Sequence, residues 1–150
     1  MMNCNNKRYQ KSSVRMANSA TQSVAINGNV VYSATTTDTG ISISASPSSG
    51  SLTLKNAGLY LVLFSGTVNT GTTEGNIILQ LTSNGTSVAG ASATLTATTT
   101  ATTENVTIPY LVSVGGSCCN VNNDILIGVA NAGDVTAELI TATLTAFKLA

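Results

Sequence analysis

The sequence predicts an all-β fold: an antiparallel jelly-roll sandwich of about ten strands, with an N-terminal arm that is disordered or orders on a partner. Three observations predict it. Apolar residues alternate with polar ones over short runs, most cleanly at Val106, Ile108, Tyr110, Val112 and Val114. Clusters of Gly, Asn, Ser and Pro interrupt these runs about every 8–12 residues, the spacing of turns in sandwiches and barrels. Thr and Val, which favour strands, are abundant, charged residues are only 8% of the 150-residue chain, and no stretch has the period of a long amphipathic helix. An immunoglobulin-like sandwich is the runner-up. It needs fewer strands and usually carries a core Trp, a residue this chain lacks.

Residues 1–20 are polar, basic and aperiodic, so they read as an arm that is disordered alone, and residues 21–150 as one β domain. Val24 and Ile26, then Val30, Val31 and Tyr32, flank Asn27-Gly28-Asn29 and predict two short strands around a kink. Residues 35–40 read as a loop. Ile41 and Ile43, then Leu52 and Leu54, alternate with Ser, Thr or Lys on either side of the turn Pro47-Ser48-Ser49-Gly50. A strand follows at 76–81, and Asn84-Gly85 turns it into a long run of Ala, Ser and Thr. Pro109 marks the 106–114 strand as an edge or a bulge, because Pro has no N–H to donate to a ladder. Residues 115–123, with Cys118-Cys119, read as a turn region. Residues 124–130 and 140–146 are the last two strands, with a bulge expected where Phe147 and Leu149 shift the alternation.

The stretch from Leu59 to Phe64 organises the domain. Leu59, Leu61 and Leu63 point to one side of a strand, and Tyr60, Val62 and Phe64 to the other. An antiparallel strand normally has one wet face. A strand apolar on both faces calls for cover on both, one inside the domain and one from another copy of the chain. Tyr60, Val62 and Phe64, or the opposite set, together with Phe147, are therefore the expected interface between copies of the chain.

Net charge is zero but segregated. Lys7, Arg8, Lys11 and Arg15 lie in the first 20 residues with no acid, while the other 130 carry two basic and six acidic residues. A basic arm on an acidic body suggests docking on a negative surface, with Lys7, Arg8, Tyr9, Lys11 and Arg15 as the anchoring set. The first 20 residues have no apolar core of a secretory signal, and no run approaches a membrane-spanning length, so no membrane partner is expected. Nucleic acid is disfavoured as a partner, because the body has neither a basic patch nor stacking aromatics.

The sequence offers little for catalysis. There is no His, the six carboxylates stand singly, and neither a Gly-x-Ser-x-Gly elbow nor a phosphate-binding loop occurs. The expectation is no enzyme, no cofactor and no metal. Cys4, Cys118 and Cys119 form no disulfide framework. The two Asn-x-Thr sequons, at Asn84 and Asn105, read as chance matches without a secretory signal.

The element order resembles the tumour-necrosis-factor/C1q-like jelly roll. The resemblance is carried by the Asn-Gly-kinked first strands, by Ser51-Leu52-Thr53-Leu54, by Asn56-Ala57-Gly58-Leu59-Tyr60-Leu61-Val62 and by the closing Leu144-Thr145-Ala146-Phe147-Lys148-Leu149. It covers residues 21–150. It implies a homotrimeric head around an apolar axis. The Thr/Ala/Gly-rich composition is similar to that of bacterial and phage members, although the Gly-X-Y stalk of the collagen-like group is absent. Together with the charged arm, the resemblance implies a structural virion protein on the capsid surface. It would be a head-fibre or decoration protein, held to capsid protein by residues 1–20. The alternatives are a carbohydrate- or receptor-binding head with a host-surface glycan as partner, and a spore-surface protein.

Overall fold

The computed structural model describes residues 11–71, 73–116 and 123–150. These form eleven strands: β1 (Ser13–Asn18), β2 (Gln22–Val24), β3 (Ala34–Thr39), β4 (Ile43–Ser46), β5 (Ser51–Leu54), β6 (Gly58–Asn69), β7 (Gly75–Ser83), β8 (Thr86–Ala97), β9 (Thr103–Val114), β10 (Ile125–Asn131) and β11 (Ala137–Lys148). One 3-10 turn, Pro47–Ser49, joins β4 to β5. The strands make two antiparallel sheets. The first runs β3-β1-β11-β6-β9, with β2 paired to the start of β11, and the second runs β4-β5-β10-β7-β8. This is the jelly-roll sandwich that the alternation predicts.

The core lies between the sheets and follows the period of two. Tyr60, Val62 and Phe64 of β6, Leu79 and Leu81 of β7, Ile127 and Val129 of β10 and Leu144 and Ala146 of β11 are all completely buried. Each of these side chains contributes about 1.5–3 kcal/mol of burial if it is a Val, Leu, Ile or Phe. Turn chemistry sets the register. Asn84 and Gly85 both have positive φ, 51° and 78°, as a two-residue primed turn requires, and they join β7 to β8. Gly50, at φ 71°, closes the 3-10 turn where a Cβ would collide with the Val30 carbonyl oxygen.

The structure corrects the sequence reading in several places. The arm does not extend to residue 20. Ser13–Asn18 are β1, inserted between β11 and β3, with Val14 and Met16 completely buried. Even Ser12 is buried, and its hydroxyl accepts from the Ser42 N–H at 3.0 Å. Two apolar residues around an Arg are too faint a signal for a strand, and the pairing comes from distant partners. Residues 35–40 are not a loop: Ala34–Thr39 form β3, exposed along its whole length and held by its ladder to β1. Val30–Tyr32 form no strand, only the bridge of Asn29 to Ala130 beside them. The bulge in the last strand lies between Leu139 and Thr141, while Phe147 stays in register opposite Leu61. Pro109 does sit on an edge strand, because β9 pairs only with β6.

Candidate functional site

The most distinctive surface is the outer face of the first sheet. Its chemistry follows from register. Leu61 of β6 lies between Phe147 of β11 and Leu111 of β9. In the next row Leu63 lies between Thr145 and Pro109, and on the other side Leu59 faces Ser113. Leu149 continues the patch, its N–H donating to the Leu59 carbonyl at 2.7 Å. Leu111 is 56% exposed, Leu149 45% and Phe147 41%. Beyond Leu63 the face turns polar, with the rows Thr143–Ser65–Thr107 and Thr141–Thr67–Asn105. Thr67 donates to the Asn105 side chain there at 2.9 Å.

This apolar patch is electrically quiet. Arg15 borders it, opposite Thr145 on β1, and donates to the Thr36 hydroxyl at 2.8 Å. Lys148 has inward parity. Its ammonium sits 6.0 Å from the centre of the Tyr60 ring and 3.5 Å from the Ser42 hydroxyl, at the end of the sandwich. There the Tyr60 hydroxyl donates to the Asn56 carbonyl at 2.6 Å. Burial pushes the Tyr60 phenol above its ordinary range, and hydrogen bonds with Ser42 and Asn56 oppose the shift in part. Burial also pushes Tyr32 up, and its hydroxyl has no partner among the described residues.

The expected site residues separate into three groups. Tyr60, Val62 and Phe64 are completely buried inside one chain, so they cannot line an axis between chains. The opposite set, Leu59, Leu61 and Leu63, occupies the outer face, and Phe147 joins it. Of the anchoring set, Arg15 belongs to β1 and Lys11 lies just before it, while Lys7, Arg8 and Tyr9 lie outside the described residues. Cys4, Cys118 and Cys119 also lie outside them. Leu111, Pro109 and Leu149 are the members of the patch that the sequence reading missed. For Leu111 and Pro109 the signal was present, since both take the outward parity of a strand whose inward set is Val106, Ile108, Val112 and Val114. Among the described residues no group of three His, Cys, Asp or Glu side chains could hold a metal ion. Asp134, for one, accepts from the Asn76 N–H at 2.6 Å.

No protein-family model and no curated protein matches the chain in sequence. Solved structures do match in fold. The globular domain of zebrafish complement 1qA superposes with a TM-score of 0.60 at 13% identity, covering 93% of this chain and 98% of the other. The PRD1 vertex protein P5 gives 0.59 at 18% identity, covering 93% and 97%. Murine APRIL gives 0.61 at 11% identity, covering 93% and 100%. The fold is the TNF/C1q-like jelly roll, as the resemblance implied.

Proposed function

We propose that this chain is a structural virion protein: a homotrimeric head on the capsid surface, of the head-fibre or decoration kind, tied to capsid protein by its N-terminal segment. The observation that carries the reading is the uncharged apolar face centred on Leu61, Leu111 and Phe147. A strand apolar on both sides needs two covers, and the sandwich supplies one. A closed trimer supplies the other without leaving an open, growing assembly. The shared fold with a phage vertex protein supports the virion setting. The segregated charge supports the anchor, now drawn as residues 1–11 with Lys7, Arg8, Tyr9 and Lys11 as its contacts, because Ser12 is buried and Arg15 is committed to β1.

Light scattering on the full chain tests the assembly. A trimer has three times the 15.2 kDa chain mass. Changing Leu111→Lys and Phe147→Lys together places two charges on the face, and the expected product is a folded monomer. A native chain that is monomeric overturns the reading. For the anchor, removal of residues 1–11 is expected to leave the trimer intact and to abolish its incorporation into particles; incorporation that persists removes the anchor.

A further inference from the structure

The outer face of the second sheet carries a different feature. Its middle strand, β10, points Gly128 and Ala130 outward between larger neighbours, so the face is a trough. The resulting groove has a volume of about 500 Å³, within the size range of small-ligand sites. The loop after β2 and the 3-10 turn form one wall, and β7 with the start of β8 forms the other.

Both walls are held rigidly. Asn27 N–H donates to the Asn131 carbonyl at 2.8 Å, Asn131 N–H to Gly28 at 2.9 Å and Val30 N–H to Val129 at 2.9 Å. The Asn131 side chain donates to the carbonyls of Val24 and Val135, at 3.1 and 2.8 Å, and accepts from Gly133 at 3.0 Å. On the opposite wall the Gln80 amide nitrogen stitches the β7–β8 bulge to the carbonyls of Leu81, Val88 and Ala91.

The groups left over are free of the protein's own hydrogen bonding. The side chains of Asn27, Asn29, Thr82 and Ser87 line the groove and make no hydrogen bond among the described residues. Among the described residues no charged side chain lines it, and the one exposed large apolar group there is Leu126, 45% exposed. Carboxamides and hydroxyls that both donate and accept, without a charge and beside one small apolar surface, match a ring bearing hydroxyls on its edge and C–H groups on its face. A second protein surface would ask for a larger apolar area, and an anionic ligand would ask for a cation.

We propose that this groove binds a neutral saccharide, through Asn27, Asn29, Thr82 and Ser87, with Gly128 as its floor. The inference goes beyond the assembly reading and does not depend on it, since the groove and the apolar face lie on opposite sheets. Pre-formed walls reduce the ordering cost of binding. With no aromatic in the groove, the single-site affinity is weak, on the order of millimolar, and several heads on one particle raise it by avidity.

The test uses the full chain on an array of immobilised galactose-, glucose-, mannose-, N-acetylglucosamine- and sialic-acid-terminated glycans, with an amide NMR titration of the same free sugars. Two variants accompany it. In Gly128→Val the new Cβ comes 3.3 Å from the Thr82 hydroxyl and 3.5 Å from the Gly50 carbonyl, and the branched side chain fills the floor. The double variant Asn29→Ala with Ser87→Ala removes two side chains that hold nothing else in place. The expected result is saturable binding of a neutral glycan, with shifts at the Gly85, Gly128 and Asn29 amides and at least about a tenfold loss in each variant. Absence of saturable binding in both assays overturns the proposal, as does binding confined to acidic glycans. So does binding that survives the double variant, which decides the matter if Gly128→Val misfolds. A change in oligomeric mass in either variant would assign the groove to a contact between chains and overturn it too.

Discussion

The two sheets share one period and one core, yet their outer faces differ in kind. In the first sheet the outward positions hold Leu59, Leu61, Leu63, Leu111 and Phe147. In the second the outward positions of β10 and its neighbours hold Gly128, Ala130, Thr82 and Ser51. The first face carries an apolar patch that gives way to polar rows beyond Leu63. The second is a polar trough with a small-residue floor. Inward residues decide that the sandwich forms, and outward residues decide what it can meet.

That difference can be broken most severely from the end of the chain. Removing residues 1–20 takes away β1, the strand between β3 and β11, with the buried Val14 and Met16. The loss is expected to exceed the roughly 5–15 kcal/mol that holds a typical domain together. Circular dichroism should show no cooperative melt, whereas removal of residues 1–11 should leave one.

Adjacent positions on β6 sharpen the contrast between faces. Phe64→Ala opens a cavity in the core, and a cost of about 3–5 kcal/mol is expected in denaturant unfolding. Leu63→Ala, one residue away with the opposite parity, should cost the isolated chain far less, and should instead show its effect in the dissociation of the proposed trimer followed by light scattering.

Alkaline pH should act on the buried phenols. Tyr32 and Tyr60 both have raised pKa values in the folded chain, so the folded state holds their protons more tightly than the unfolded state does. Their contribution is complete below the unfolded value of about 10 and is lost as pH rises beyond it. Thermal melts should therefore fall above about pH 10, and Tyr32→Phe should make that fall shallower.

Salt should give the smallest effect on the apolar face. The proposed contact carries no charge pair, so raising NaCl from about 0.1 M to about 1 M should leave the proposed trimer intact, while the proposed attachment through Lys7, Arg8 and Lys11 should weaken. A trimer that dissociates in salt would move the contact elsewhere.

Much of this was legible in the sequence. The alternation of Val106 to Val114 and the double-sided run from Leu59 to Phe64 are strong local signals, and both became long strands with the expected parity. The turn at Asn84-Gly85 was equally plain. The misses share a cause. β1 and β3 are strands because of their ladder partners, and Thr36, Thr37 or Arg15 carries no local sign of that pairing. The Leu139–Thr141 bulge is likewise set by its opposite strand. The apolar face was half legible: Phe147 and the Leu set were named, but Leu111 and Pro109 joined them only through register.

The sequence by itself determined the fold class, the inward set of β9 and the existence of two apolar faces on β6, because parity and turn chemistry are local properties of the chain. The tertiary structure decided which of those faces is the core, where the arm ends and that Gly128, Gly50 and Thr82 share a groove. Those outcomes depend on residues far apart in the chain that meet only when the sheets pair and stack.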